Sequence, residues 1–109
     1  MELILKSHEK LLQKQYQFAD DLAKQKVIVK IFGPQGSWTW YILNQDSQNP
    51  DYLWAIVQGL ELEMGSVSLK ELKEYRAVRG FRLPLERDLH FTPRPAQDVW
   101  DRLLARKHV

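Results

Sequence analysis

The chain contains no cysteine. Disulfide frameworks, thiolate zinc sites and cysteine nucleophiles are therefore excluded. It also lacks any apolar run approaching the ~20 residues that cross a bilayer. The opening stretch MELILK is too short for the apolar core of a signal peptide and has no cleavage pattern. The expectation is a cytoplasmic protein with no membrane partner. Charge of one sign is scarce: 16 Lys/Arg against 14 Asp/Glu leave a net +2. That excess by itself implies no nucleic-acid partner. Repeats, linkers and low-complexity tracts are missing. So are H-E-x-x-H, P-loop, G-x-S-x-G and dinucleotide-binding patterns, so no cofactor is expected.

What remains is ordinary for a globular protein. The 109 residues are 44% hydrophobic and 28% charged. This length supports one domain, 1–109, with one core. Charge is uneven along it. Residues 1–65 carry six Lys/Arg and eight Asp/Glu, whereas residues 66–109 carry ten and six and hold all seven arginines.

The strongest local signal is Lys26–Leu43, KVIVKIFGPQGSWTWYIL. Two β-rich runs flank Gly33-Pro34-Gln35-Gly36, which reads as a type I turn with Gly36 left-handed, a three-residue loop with a G1 bulge. That loop predicts Phe32 opposite Trp38, Lys30 opposite Trp40 and Ile28 opposite Ile42. The other face then carries Ile31 with Thr39, Val29 with Tyr41 and Val27 with Leu43. Both faces are apolar. Either helices cover both, or one is an aromatic binding surface.

The rest follows in order. Residues 7–24 show the i, i+3, i+4 pattern of an amphipathic helix, with Ser7 as its cap and with Asp20 and Asp21 poorly placed at its end. After the polar 44–51 loop, Tyr52–Leu62 reads as a third strand, bent at Gly59. Residues 68–76 read as a short helix started by a capping box, Ser68 with Glu71, and a Val67–Leu72 staple. Residues 83–91 read as a fourth strand. Ala96, Val99, Trp100, Leu103 and Leu104 form the stripe of a last helix, opened by Pro93 or Pro95. The order α-β-β-β-α-β-α predicts an α+β domain: a small antiparallel sheet of about four strands, with the N-terminal and C-terminal helices gathered on one face as a two-layer fold.

Three constellations are candidates for function. Trp38, Trp40 and Trp54, with Phe32 and Lys30, form an aromatic set suited to anchoring a protein partner. The bland alternative, and the commoner fate of such a set, is to be covered as core by the last helix through Trp100; base stacking is the least favoured reading, since no RNP pattern is present. A symmetric second copy is another way to cover such a face. Arg102, Arg106 and Lys107 crowd the last helix end and are candidates for phosphate contacts. Glu86, Asp88 and His90 alternate along the fourth strand, weak metal or proton-sharing candidates that would need Glu61 or Glu63 to complete a site. No bound metal is expected there.

A family resemblance begins at GSWTWY (36–41). It continues through Glu61-x-Glu63-x-Gly65 and Ser68-Leu69-x-Glu71-Leu72, and ends with Leu85 to Phe91 (LERDLHF) and the prolines after it. Over about residues 25–97 the chain resembles the family catalogued as domain of unknown function 2958, small bacterial proteins often encoded on plasmids and other mobile elements. The resemblance implies a mobile-element accessory protein and carries no activity or catalytic residue. These readings favour a non-enzymatic protein-interaction module acting on host defence or element-maintenance machinery. The alternatives are a nucleic-acid-binding accessory protein and a metal-dependent enzyme using Glu86, Asp88 and His90.

Overall fold

The structure is a computed structural model and describes residues 1–34, 38–75 and 84–109. Helix α1 (Lys6–Lys14) is followed by two 3-10 turns, Tyr16–Phe18 and Leu22–Lys24. The helical pattern of 7–24 is thus realised as one short helix and two single turns. Ser7 is not its cap: Leu5 is, and the Leu5 N–H donates to His8 Nδ1 at 3.0 Å. The helix stops because Gln15 turns to the sheet instead. Its side chain accepts from Lys26 N and donates to Lys26 O and Leu43 O, at 2.7–2.9 Å.

Strands β1 (Lys26–Val27), β2 (Val29–Phe32), β3 (Thr39–Gln45), β4 (Tyr52–Gln58) and β5 (Leu62–Ser68) precede helix α2 (Leu69–Glu74). Strands β6 (Glu86–Arg87) and β7 (Arg94–Pro95) lead into helix α3 (Ala96–Leu104). The main sheet is antiparallel, in the order β5-β4-β3-β2-β6, and β1 pairs with β7 in a separate two-stranded sheet. The α+β class stands, with five strands in the main sheet rather than about four.

The hairpin forms between β2 and β3, one residue out of the expected register, while Lys26 and Val27, expected within it with Val27 facing Leu43, pair with β7 instead. Phe32 lies opposite Thr39, Ile31 opposite Trp40, Lys30 opposite Tyr41 and Val29 opposite Ile42. Gly33 N donates to Trp38 O at 3.1 Å, so the connection runs from Pro34 to Ser37, one residue beyond the span of the expected loop. The expected left-handed Gly36 lies outside the described residues. Burial explains the slip, because shifting a strand by one residue exchanges its faces. The observed register sets fully buried Ile31 beside Trp40, 7% exposed. Lys30 is released toward the Tyr41 ring, at 5.7 Å, and toward Asp88, at 3.9 Å.

The faces hold separate clusters, so the two-layer arrangement is corrected to helices on opposite sides. On one side Val29, Ile31, Trp40, Ile42, Leu53 and Ala55 pack with Leu12 of α1 and Leu72 of α2. On the other, Tyr41, Leu43 and Ile56 pack with Ala96, Val99 and Leu103 of α3. The physical cause is the double apolar character of β3 and β4, whose alternate residues are apolar in both directions.

Three further expectations change. The single strand over Tyr52–Leu62 is two strands, β4 and β5, joined through Gly59, whose N–H donates to Glu61 O at 3.0 Å. Strand β5 is an edge strand, LEMGSVS, without clean alternation. Of the strand expected over 83–91, residue 83 lies outside the described residues, and among the described ones only Glu86 and Arg87 pair. Asp88 Oδ1 accepts from His90 N at 2.9 Å and turns the chain, as Asx turns do.

Helix α2 has its expected Ser68 cap, which accepts from Glu71 N at 3.2 Å. Asp51 completes the cap: its carboxylate accepts from Ser68 Oγ and from Lys70 N, both at 2.7 Å. Helix α3 ends in a Schellman motif with Arg106 at φ 56°. Arg106 N donates to Leu103 O and Lys107 N to Arg102 O, the two bonds that define this motif.

Two predictions follow from this packing. A Cβ on Gly59 would lie 2.2 Å from the Trp38 ring, whereas one on Gly65 meets nothing within 4 Å. Gly59→Ala should cost about 1–3 kcal/mol through overpacking, and Gly65→Ala about 0.5 kcal/mol or less, measured by chemical denaturation. Equal effects would contradict the Trp38–Gly59 contact. The hydrogen bonds from Ser68 and Lys70 hold the Asp51 carboxyl below its usual pKa. Its stabilising contribution is therefore present above the unfolded carboxyl pKa, near 3.8, and is lost as pH falls through the lower folded value. Stability measured against pH on the acid side should drop further in the wild type than in Asp51→Asn; parallel curves would contradict the cap.

Candidate functional site

The chain between α1 and β1 is held by amide side chains. Gln25 Nε2 donates to Ala19 O and Asp21 O, both at 3.0 Å. Asn44 Nδ2 donates to Ala19 O at 3.0 Å and to Gln25 Oε1 at 2.9 Å. Gln13 donates to Gln45 Oε1, and Gln45 Nε2 to Pro50 O. Asn44, Gln45 and Gln25 are all buried. Ala19, the shared acceptor, has φ 47° and ψ −113°, a conformation unusual for a residue with a Cβ. Sheet pairing supplies the other half of this geometry. The β3–β4 register shifts between Ile42 and Asn44, a β-bulge at Leu43 that sets Asn44 opposite Trp54.

Beside this network lies a cleft of about 440 Å³, lined by Tyr16, Ala19, Asp20, Asn44, Tyr52 and Trp54. Its size falls within the roughly 300–1,000 Å³ of ligand sites. The Tyr16 and Tyr52 rings meet edge to face, 6.5 Å apart at 88°. Partial burial, the Asp46 charge and a hydrogen bond with Asp46 keep the Tyr16 hydroxyl protonated to higher pH than an ordinary phenol. Two buried side-chain atoms among the described residues lack hydrogen-bond partners, Asn44 Oδ1 and Trp54 Nε1. Both belong to residues of this cleft. An unmet buried donor or acceptor typically costs about 1–3 kcal/mol, so finding two at one place marks it out.

The aromatic set expected on one face is divided. Trp38 and Trp40 stack, 6.0 Å apart at 23°, on the α1 side, and Tyr75 packs edge-on against Trp40. Trp54 sits on the α3 side and in the cleft. Phe32 and Lys30 are half-buried beside Thr39 and Tyr41. Helices thus cover both faces, and Trp54 alone of the three indoles lines the cleft.

A family model, described as a protein of unknown function, DUF2958, matches residues 3–108. The chain belongs to this family. The DUF2958 match extends beyond residues 25–97 to take in α1 and α3, and every residue of the cleft lies within it. No curated protein and no solved structure matches the chain.

The remaining candidates of this DUF2958 protein lie apart from the cleft. Glu86 is in β6, while Asp88 and exposed His90 are in the turn after it, so the three do not share one strand face. Among the described residues no group of three or more His, Asp or Glu is placed to hold a metal ion. Asp88 instead pairs with Lys30, and both line a smaller cleft with His8 and Arg87. Burial, then the Arg87 charge, lowers the His8 pKa. Arg102 pairs with Asp98 at 3.3 Å, Asp98 also binds Arg94 at 2.8 Å, and Arg106 and Lys107 form the exposed end of α3. No helix among the described residues is long and apolar enough to cross a membrane.

Sequence reasoning found Trp54 but missed Tyr16, Asn44 and Tyr52. The available signal was Asn44-Gln45, two amides directly after an apolar strand, where burial obliges them to find partners.

Proposed function

We propose that this DUF2958 protein is a non-enzymatic protein-interaction module whose contact surface is the Tyr16–Tyr52–Trp54 cleft. The observation that carries this reading is the cleft itself, with aromatic walls of which Tyr16 is 40% and Tyr52 37% exposed. Tyrosine and tryptophan dominate the binding energy of protein interfaces because they bring large rigid area and a polar tip. Asp20 lines the cleft and Asp46 sits against the Tyr16 hydroxyl. This negative rim opposes nucleic-acid phosphates, which require cationic partners. Arg102, one of the three cations of the alternative phosphate surface, pairs with Asp98. The resemblance to mobile-element proteins supports an accessory role, directed at host defence or element-maintenance machinery.

The test is affinity capture from a host lysate, with and without nuclease, using the wild type and a Tyr16→Ala/Tyr52→Ala double variant whose fold is checked by thermal denaturation. A protein should be retained through nuclease and weakened on the order of 30-fold in the double variant, the effect of losing about 2 kcal/mol of hot-spot energy. Capture that vanishes with nuclease, or that is undiminished in the double variant, would contradict the reading.

A further inference from the structure

Strand β5 ends the main sheet, and among the described residues its outer side pairs with nothing. Two bonds at the ends of its ladder with β4 fix which backbone groups face outward. Gly59 N donates to Glu61 O just beyond the Gln58–Leu62 pair, and Leu69 N donates to Asp51 O just beyond the Tyr52–Ser68 pair. In an antiparallel ladder, bonds so placed flank a pair that exchanges none of its own. Glu63, Gly65 and Val67 therefore direct their N–H and C=O groups to β4. Those of Leu62, Met64 and Ser66 point away from the sheet. Natural edge strands are blunted by proline, lysine or a bulge. Leu62–Ser68, LEMGSVS, has neither proline nor lysine and runs in unbroken register along β4.

The side chains of this edge suit a second β5. Leu62 and Met64 are partly buried with the α3 cluster, and Val67 with the cluster on the other side. Glu63 is exposed, and a Cβ on Gly65 would meet nothing within 4 Å. Two copies related by a two-fold axis match outward groups with outward groups only where the axis passes through a residue. On Glu63, the axis would set two carboxylates directly opposite, a destabilising pair. On Gly65, it would set Met64 against Ser66 and leave two glycines at the centre. On Met64, it brings the two adaptable methionine side chains together. It then sets Leu62 against Ser66, and Glu63 against the open side of Gly65. Axes farther along shorten the overlap. A strand of a different protein would use the same backbone groups. The second copy is favoured because the chain itself supplies, two residues from Glu63, a residue with no side chain to oppose it.

Beyond the cleft reading, we propose that β5 pairs antiparallel with β5 of a second copy, with the two-fold axis on Met64. The two main sheets become one continuous sheet. Leu62 exchanges both backbone bonds with Ser66 of the second copy, and Met64 with its own counterpart. A single strand edge makes a smaller contact than a standard interface, so the dimer is weak and depends on concentration.

The test measures the molecular mass of the intact protein by small-angle X-ray scattering from micromolar to millimolar concentration, with amide exchange of the same samples followed by ¹⁵N NMR. Mass should rise from monomer to dimer. The Met64 and Ser66 amides should exchange more slowly as concentration rises, while those of Gly65 and Val67, already bonded to β4, change far less. Ser66→Pro removes an outward N–H and no bond to β4, a place proline tolerates in an edge strand. This variant should stay folded by thermal denaturation and remain monomeric. Gly65→Lys sets a cation opposite Glu63 of the second copy and should tighten the dimer about fivefold, whereas Gly65→Glu should weaken it by about as much. That opposite response is specific to the Met64 axis, since an axis on Gly65 sets like charges together in both variants. Monomer at every concentration, a dimer that persists in Ser66→Pro, or equal responses of the two Gly65 variants would overturn the proposal. If Ser66→Pro does not fold, the Gly65 variants decide.

Discussion

The bonds gathered on the Ala19 carbonyl organise one end of the molecule. Asn44 and Gln25 both donate to it, and Asn44 also donates to Gln25. This triangle joins Ala19 and Gln25, on the segment between α1 and β1, to Asn44 near the end of β3, distant in sequence. It forms in the interior, where an unpaired amide is expensive and a paired one gains strength from low dielectric. Gln15 extends the same device by bonding Lys26 and Leu43 as a neighbouring strand would. The backbone between Lys14 and Lys26 makes no strand pairs of its own, and these side chains define its path.

The cleft is a consequence of that path. The bulge at Leu43 turns Asn44 to the Trp54 side of the sheet. The amide triangle draws Ala19 and Asp20 up to it, and the 3-10 turn sets Tyr16 against Tyr52. The Asn44 nitrogen is used within the fold while its oxygen is left over. On the opposite side of the sheet Trp38 and Trp40 serve packing, with Gly59 beneath the Trp38 ring.

Local signals in the sequence were read correctly where a single element decides the outcome. The Ser68 cap, the buried stripe of Ala96, Val99 and Leu103, and the existence of the hairpin formed by β2 and β3 all carry their instructions within a few residues. Leu104 of that stripe is instead 60% exposed. What failed depended on distant partners. The hairpin register is decided by which face of β2 lies beside the indole-bearing face of β3, and α1 ends where Gln15 finds the sheet. The 83–91 strand gives way to the Asp88 turn after two residues. Edge strand β5 lacks the alternation by which strands are recognised, and its pairing is dictated by β4. The cleft was invisible for the same reason: residues 16–20, 44 and 52–54 meet only after the sheet has formed.

The buried amides of Gln25 and Asn44 act as one unit. A double-mutant cycle on folding stability, with Gln25→Ala, Asn44→Ala and the pair, measures this directly. A coupling of about 1 kcal/mol or more is expected, because either substitution alone already breaks the shared bond and strands its partner. Effects that add to within about 0.3 kcal/mol would show the two amides to be independent and would contradict it.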